Sequence, residues 1–126
     1  MERYIKRVVI CADPPEHLVL VRGYLHKDKR LPGGKITIEP LFKWDGASIP
    51  RAFWVTTGSP WSPNLVRASP VHDYLYTHHL VPRKVADDIL DTIMAEDGVR
   101  GYNRTKIYLA VRAFGWVNWA KRGAKQ

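Results

Sequence analysis

Apolar and polar positions divide the chain into two halves with different periods. From Arg3 to Cys11 the sequence is rich in Val, Ile and Tyr, and Asp13-Pro14-Pro15 ends the run. Proline cannot donate to a ladder, so this pattern predicts a strand and then a turn. His17 to Tyr24 (HLVLVRGY) predicts a second strand, and Leu31-Pro32-Gly33-Gly34 a turn. Lys35 to Trp44 (KITIEPLFKW) alternates apolar and polar residues, as a half-buried strand does, with Pro40 marking an edge, a bulge or a break. Residues 45–68 carry no clear period. They hold Pro50, Pro60 and Pro63 with Trp54 and Trp61, and predict an irregular segment in which a short helical turn forms around Arg51 to Trp54.

Beyond residue 68 the period becomes helical. The first predicted helix covers Ser69 to His79, with Ser69 as N-cap and Pro70 at the first helical position. The second runs from Pro82 to Asp97 and ends at Gly98. The third runs from Asn103 to Lys121 and ends near Gly123. N-terminal antiparallel strands followed by three helices make an α+β fold, read as one domain over residues 1–126.

On a wheel of about 100° per residue, Ala68, Val71 and Leu75 share one side of the first helix. His72 and Tyr76 flank that stripe, and Asp73 lies just beyond them. In the second helix Ala86, Ile89, Leu90, Ile93 and Met94 form the stripe. Asp87 falls about 20° from Met94, Asp88 faces away and Asp91 is intermediate. The short connection at Leu80 to Pro82 makes the two helices antiparallel neighbours, so Asp87 is the acid expected to face His72. A carboxylate bonded to one imidazole nitrogen fixes the tautomer and leaves the other to take a proton from water. The same pair equally suits a buried polar contact that pins two helices. Asp73, turned away from His72, suits a separate task such as holding a metal ion. Asp45, in Asp45-Gly46-Ala47-Ser48, is either a turn residue or a second metal ligand in the same cleft. His78 and His79 are adjacent, point about 100° apart and make a poor chelate. The serines fit no nucleophile-elbow pattern.

Composition narrows the classes. With 45% hydrophobic and 25% charged residues the chain is ordinary for a globular protein. The single Cys11 excludes an internal disulfide, and the run from Val8 to Ala12 is too short for a signal peptide. No stretch approaches a membrane span. The net charge is +8, and from Gly98 onward there are seven Lys or Arg and no acid. Arg104, Lys106, Arg112, Lys121 and Arg122, with Tyr108, Phe114, Trp116 and Trp119 among them, predict a basic surface. Such a surface suits an anionic lipid or membrane, an acidic protein or, with less support, nucleic acid.

Two resemblances follow from these residues. The ordered motifs D-G-A-S-I-P (Asp45 to Pro50), H-D-Y-L-Y (His72 to Tyr76), A-D (Ala86, Asp87) and R-x-F-G (Arg112 to Gly115) resemble a family of small uncharacterised proteins of tailed bacteriophages and prophages. That likeness spans residues 40–118. It implies a phage origin, phage structural proteins or host proteins as partners, and the host cytoplasm or the virion as the location. Locally, His72-Asp73-x-x-Tyr76 with a later helix Asp is similar to the catalytic helix pair of phospholipase A2. It implies His72 as general base, Asp73 as calcium ligand and Asp87 as the orienting acid bonded to Tyr76. The expected function is hydrolysis of an ester or phospholipid, with calcium as the one implied cofactor. The disulfides and glycine-rich calcium loop of that enzyme family are absent from the sequence. The alternative is a non-enzymatic virion or tail component, or a binder of a host factor.

Overall fold

A computed structural model describes residues 10–13, 17–20, 23–44, 65 and 67–124. The chain forms two compact units, Met1–Asp45 and Gly46–Gln126. The division falls where the periodic strand pattern stops.

The first unit is antiparallel. Strands β1 (Ile10–Asp13), β2 (His17–Leu20) and β5 (Lys43–Trp44) form one sheet in the order β1-β2-β5. Cys11 pairs with Val19, and Leu18 with Trp44. Strands β3 (Tyr24–Lys27) and β4 (Lys35–Ile38) form a second ladder, with Tyr24 opposite Ile38 and His26 opposite Ile36. Those four side chains are buried while Lys27, Lys35 and Thr37 are exposed, the two-residue alternation of a half-buried sheet. Two predicted strands are thereby each divided. His17 to Tyr24 contributes to both sheets. Lys35 to Trp44 breaks after Ile38, because Pro40 enters a turn and Leu41 takes φ 71° with 73% of its surface exposed. The predicted turn at Leu31 to Gly34 is a short 3-10 turn, with Gly33 and Gly34 at positive φ.

The second unit is helical: α1 (Ala68–His78), α2 (Arg83–Glu96), α3 (Gly101–Phe114) and α4 (Trp116–Ala124). Ser69 is not the N-cap of α1. Its amide bonds to the carbonyl of Leu65, so the helical turn begins earlier and Ser69 lies buried inside it. Pro70 follows with no N–H to continue that bonding, though its fixed φ suits the helix. His79 closes α1 in the left-handed region. The four residues from His79 to Pro82 fold α2 back along α1, so that Arg67, at the start of α1, pairs with Glu96 and Asp97 at the end of α2.

Gly98, at φ 85°, ends α2 as its position predicts. The Gly98 amide reaches Ala95 and the Val99 amide reaches Met94, the paired bonds of a Schellman cap. The third predicted helix is two helices, α3 and α4, divided at Gly115. The core of this unit gathers Val71 and Leu75 of α1, Ile89, Leu90, Ile93 and Met94 of α2, and Ile107 and Val111 of α3, all fully buried. α2 packs between α1 and α3, and α4 packs on α1. Among the described residues, no helix is long and apolar enough to cross a membrane.

Candidate functional site

Asp87 is the hub of the helical unit. It is 0% exposed, and its two oxygens bind groups from three helices. Oδ1 accepts from His72 Nε2 at 2.7 Å and from the Tyr76 hydroxyl at 2.7 Å. Oδ2 accepts from Arg112 Nη1 at 2.8 Å and has Arg83 Nη1 at 3.6 Å. Arg83 is in turn held by the carbonyls of Val111 at 3.0 Å and Arg112 at 3.2 Å, in the last turn of α3. The helical register places all of this. His72 and Tyr76 are four apart and reach one oxygen, while Arg83 and Asp87 are four apart on α2.

The electrostatics follow from these contacts. Burial alone would push the Asp87 carboxyl up, but the bonds from His72, Tyr76 and Arg112 outweigh it and hold the group below its ordinary value. Asp87 is thus a buried carboxylate. Tyr76 is pushed upward by burial, by the Asp87 charge and by its bond to that charge, so it stays a phenol. Its ring lies 4.3 Å from that of His72 and meets Trp119 edge-on at 5.2 Å.

His72 is 2% exposed. With Nε2 donating to Asp87, the neutral ring presents a lone pair at Nδ1. Among the described residues Nδ1 has no hydrogen-bond partner.

Gly115 has its own part. A Cβ there would press on the Val111 carbonyl oxygen and lie 2.5 Å from the Tyr76 hydroxyl oxygen, so backbone and phenol together require glycine at this turn. The R-x-F-G motif therefore supplies two groups to the hub, a guanidinium for Asp87 and room for Tyr76.

A family model described as "Protein of unknown function (DUF1353)" matches residues 19–111 of this chain. The chain belongs to that family. The matched region contains His72, Asp73, Tyr76 and Asp87 and stops short of Arg112 and Gly115. A relative, the uncharacterised protein y4jT of Sinorhizobium fredii, is 34% identical over 74 residues, which are 56% of this chain and 21% of that protein. The chain thus matches about a fifth of that relative's length. No solved structure matches.

In this family member the remaining predicted residues fall into separate places. Asp73 is 2% exposed, and its Oδ1 pairs with Arg122 Nη2 at 2.9 Å. Arg122 Nη1 also donates to Thr77 Oγ1 at 2.7 Å, and that hydroxyl donates to the Asp73 carbonyl at 2.9 Å. The carboxylate expected to hold calcium is therefore engaged by an arginine of α4. Among the described residues no three His, Cys, Asp or Glu side chains are placed to hold a metal ion. Asp45 lies outside the described residues.

The predicted basic surface is also redistributed. Arg112 and Arg122 turn inward to Asp87 and Asp73, and Arg104 pairs with Asp91 at 3.0 Å. Lys106 sits over the Tyr102 ring at 4.4 Å, and Lys121 is exposed. Asp88 does not simply face solvent, since it binds Lys84 at 2.9 Å and the Tyr108 hydroxyl at 2.6 Å. The hub residues that the wheel misses are Arg83, Arg112 and Gly115. The signal for Arg112 and Gly115 is the R-x-F-G string, whose role appears only once α3 is laid beside α2, and that for Arg83 is its place four residues before Asp87.

Proposed function

We propose that the chain is an ester hydrolase in which His72 Nδ1 is the general base. One observation carries this reading. Asp87 fixes Nε2 as the donor, while among the described residues Nδ1 has no hydrogen-bond partner and is not one of the fully enclosed unpaired atoms, so it is left to a small molecule such as water. A nitrogen so placed takes its proton from a water or a substrate hydroxyl. In the proposed reaction Nδ1 removes a proton from water as the water oxygen attacks the ester carbonyl. The imidazolium then returns that proton to the departing alkoxide, leaving an acid and an alcohol. The Asp87 carboxylate stabilises the transient imidazolium, and Tyr76 and Arg112 keep that carboxylate oriented. The likeness to the phospholipase A2 helix pair supports a phospholipid ester as the first substrate to try. No step runs through calcium, because Asp73 is paired with Arg122.

The test uses the purified full chain with a soluble p-nitrophenyl ester and with anionic phospholipid vesicles, each with and without added calcium. Wild type is expected to hydrolyse at least one of them. His72→Ala and Asp87→Asn are expected to lose roughly 10²- to 10⁴-fold in kcat/KM, with helical circular dichroism retained as the check on folding. A wild type inert toward every substrate would sink the proposal.

The 2% exposure of His72 favours a second reading, in which the hub is a helix clamp in a non-enzymatic phage protein. That reading predicts no turnover and the chain present in stoichiometric amounts in purified virions.

A further inference from the structure

We infer that the outer face of α3 and α4 docks on an anionic lipid surface. The two helices form a nearly continuous rod across Gly115. Gly115 is itself right-handed helical, its amide reaches Val111 and its carbonyl receives Trp119. One stripe runs along the outside of this rod: Tyr102, Leu109, Ala113, Trp116, Val117 and Ala120 span about 100° of helix surface at 100° per residue. Tyr102 is 72% exposed, Leu109 59%, Trp116 58% and Val117 39%. Ile107 and Val111 lie on the opposite face and are buried, and Ala110, beside the edge of the stripe, is buried too. The rod is therefore apolar on both faces, and among the described residues only the face of Ile107 and Val111 is buried.

Charge selects the occupant. From Gly98 to the end the sequence has seven Lys or Arg and no Asp or Glu. A second copy of this face would bring Lys106 and Lys121 of each copy together, which opposes self-association. Nucleic acid calls for cations along its path, but Arg112 and Arg122 are spent on the buried Asp87 and Asp73, and Arg104 pairs with Asp91 at the surface. What faces outward is a leucine, a tyrosine and a tryptophan, with Lys106 within the stripe over the Tyr102 ring and Lys121 just past its edge. Aromatic and aliphatic residues that enter the headgroup boundary, rimmed by lysines that meet anionic lipid, are the pattern of an in-plane interfacial helix. This inference rests on surface residues alone and is independent of the hydrolase reading.

The experiment is cosedimentation of the full chain with phosphatidylcholine vesicles with and without phosphatidylglycerol, in the absence of turnover. Binding is expected to the mixed anionic vesicles, to be weak with phosphatidylcholine alone, and to fall as salt is raised. The double variant Leu109→Ser with Trp116→Ser should lower the partition coefficient about tenfold or more. Both positions are exposed, so its circular dichroism should match wild type. A second variant, Lys106→Glu with Lys121→Glu, keeps the apolar stripe and should also lose anionic binding. The inference is overturned if wild type ignores anionic vesicles at low salt, or if either variant binds as wild type does. It is overturned equally if the chain binds duplex DNA in place of vesicles, or forms a dimer that the Leu109/Trp116 variant abolishes.

Discussion

At the scale of single residues, the site depends on how one buried carboxylate is satisfied. Asp87 is tolerated at zero exposure because His72, Tyr76 and Arg112 all donate to it. Its depressed pKa means that it contributes stability above the ordinary carboxylate value of 3.8, and that this stability is lost as pH falls through the lower folded value. Acid unfolding followed by circular dichroism should therefore show stability declining below about pH 4, with a shallower decline in Asp87→Asn. An unchanged acid limb in that variant would contradict the assignment. Gly115 gives a second test. Gly115→Ala places a methyl against the Tyr76 hydroxyl and should cost about 1–3 kcal/mol in denaturant midpoint measurements. In a Tyr76→Phe background the hydroxyl is gone, so the same change should cost less. Additive costs would mean that the Val111 carbonyl, and not the phenol, is what requires glycine.

At the scale of elements, α1 is held twice by its own polar face. His72 and Tyr76 tie it to α2 through Asp87, while Asp73 and Thr77 tie it to α4 through Arg122. His79 adds a stacked contact with Trp119 at 3.7 Å and a bond to the Trp119 carbonyl at 3.0 Å. Arg122→Ala should loosen α4 from α1 and cost about 1–3 kcal/mol, because the buried Asp73 charge loses its guanidinium. Amide exchange in α4 should quicken while α2 stays protected. Asp73→Asn in the same chain should recover part of that stability, since a neutral amide needs no counter-charge. No recovery would assign Asp73 to some other demand. The loss of pairing between one helix and its neighbour is local, which is why exchange in individual helices is the informative readout.

At the scale of the whole molecule, strands precede helices, and the two compact units meet the change of hydrophobic period near residue 45. The net charge of +8 does not spread as an even basic coat. Part of it is used inside the helical unit to neutralise Asp73 and Asp87, part pairs with Asp91 at the surface, and Lys106 and Lys121 accompany an exposed apolar stripe. Charge counted along the sequence gives the sign of the surface but not which arginines belong to it.

Local pattern alone determined the α+β class, the ends of α2 and the pairing of His72 with Asp87. These depend on periodicities of two and 3.6 residues and on a short connection, all of which are properties of neighbouring residues. The division of Lys35 to Trp44 was foreshadowed by Pro40, although alternation by itself ran straight through it. The break at Gly115 was not legible, because α3 and α4 continue one another almost without a change of period. Tertiary structure decided the rest. Arg112 and Arg122 lie 25 and 49 positions from the acids they neutralise, and nothing in the sequence ranks them above the other cations. Packing selected them, since a carboxylate enclosed between helices must draw its counter-charge from whichever helix lies alongside.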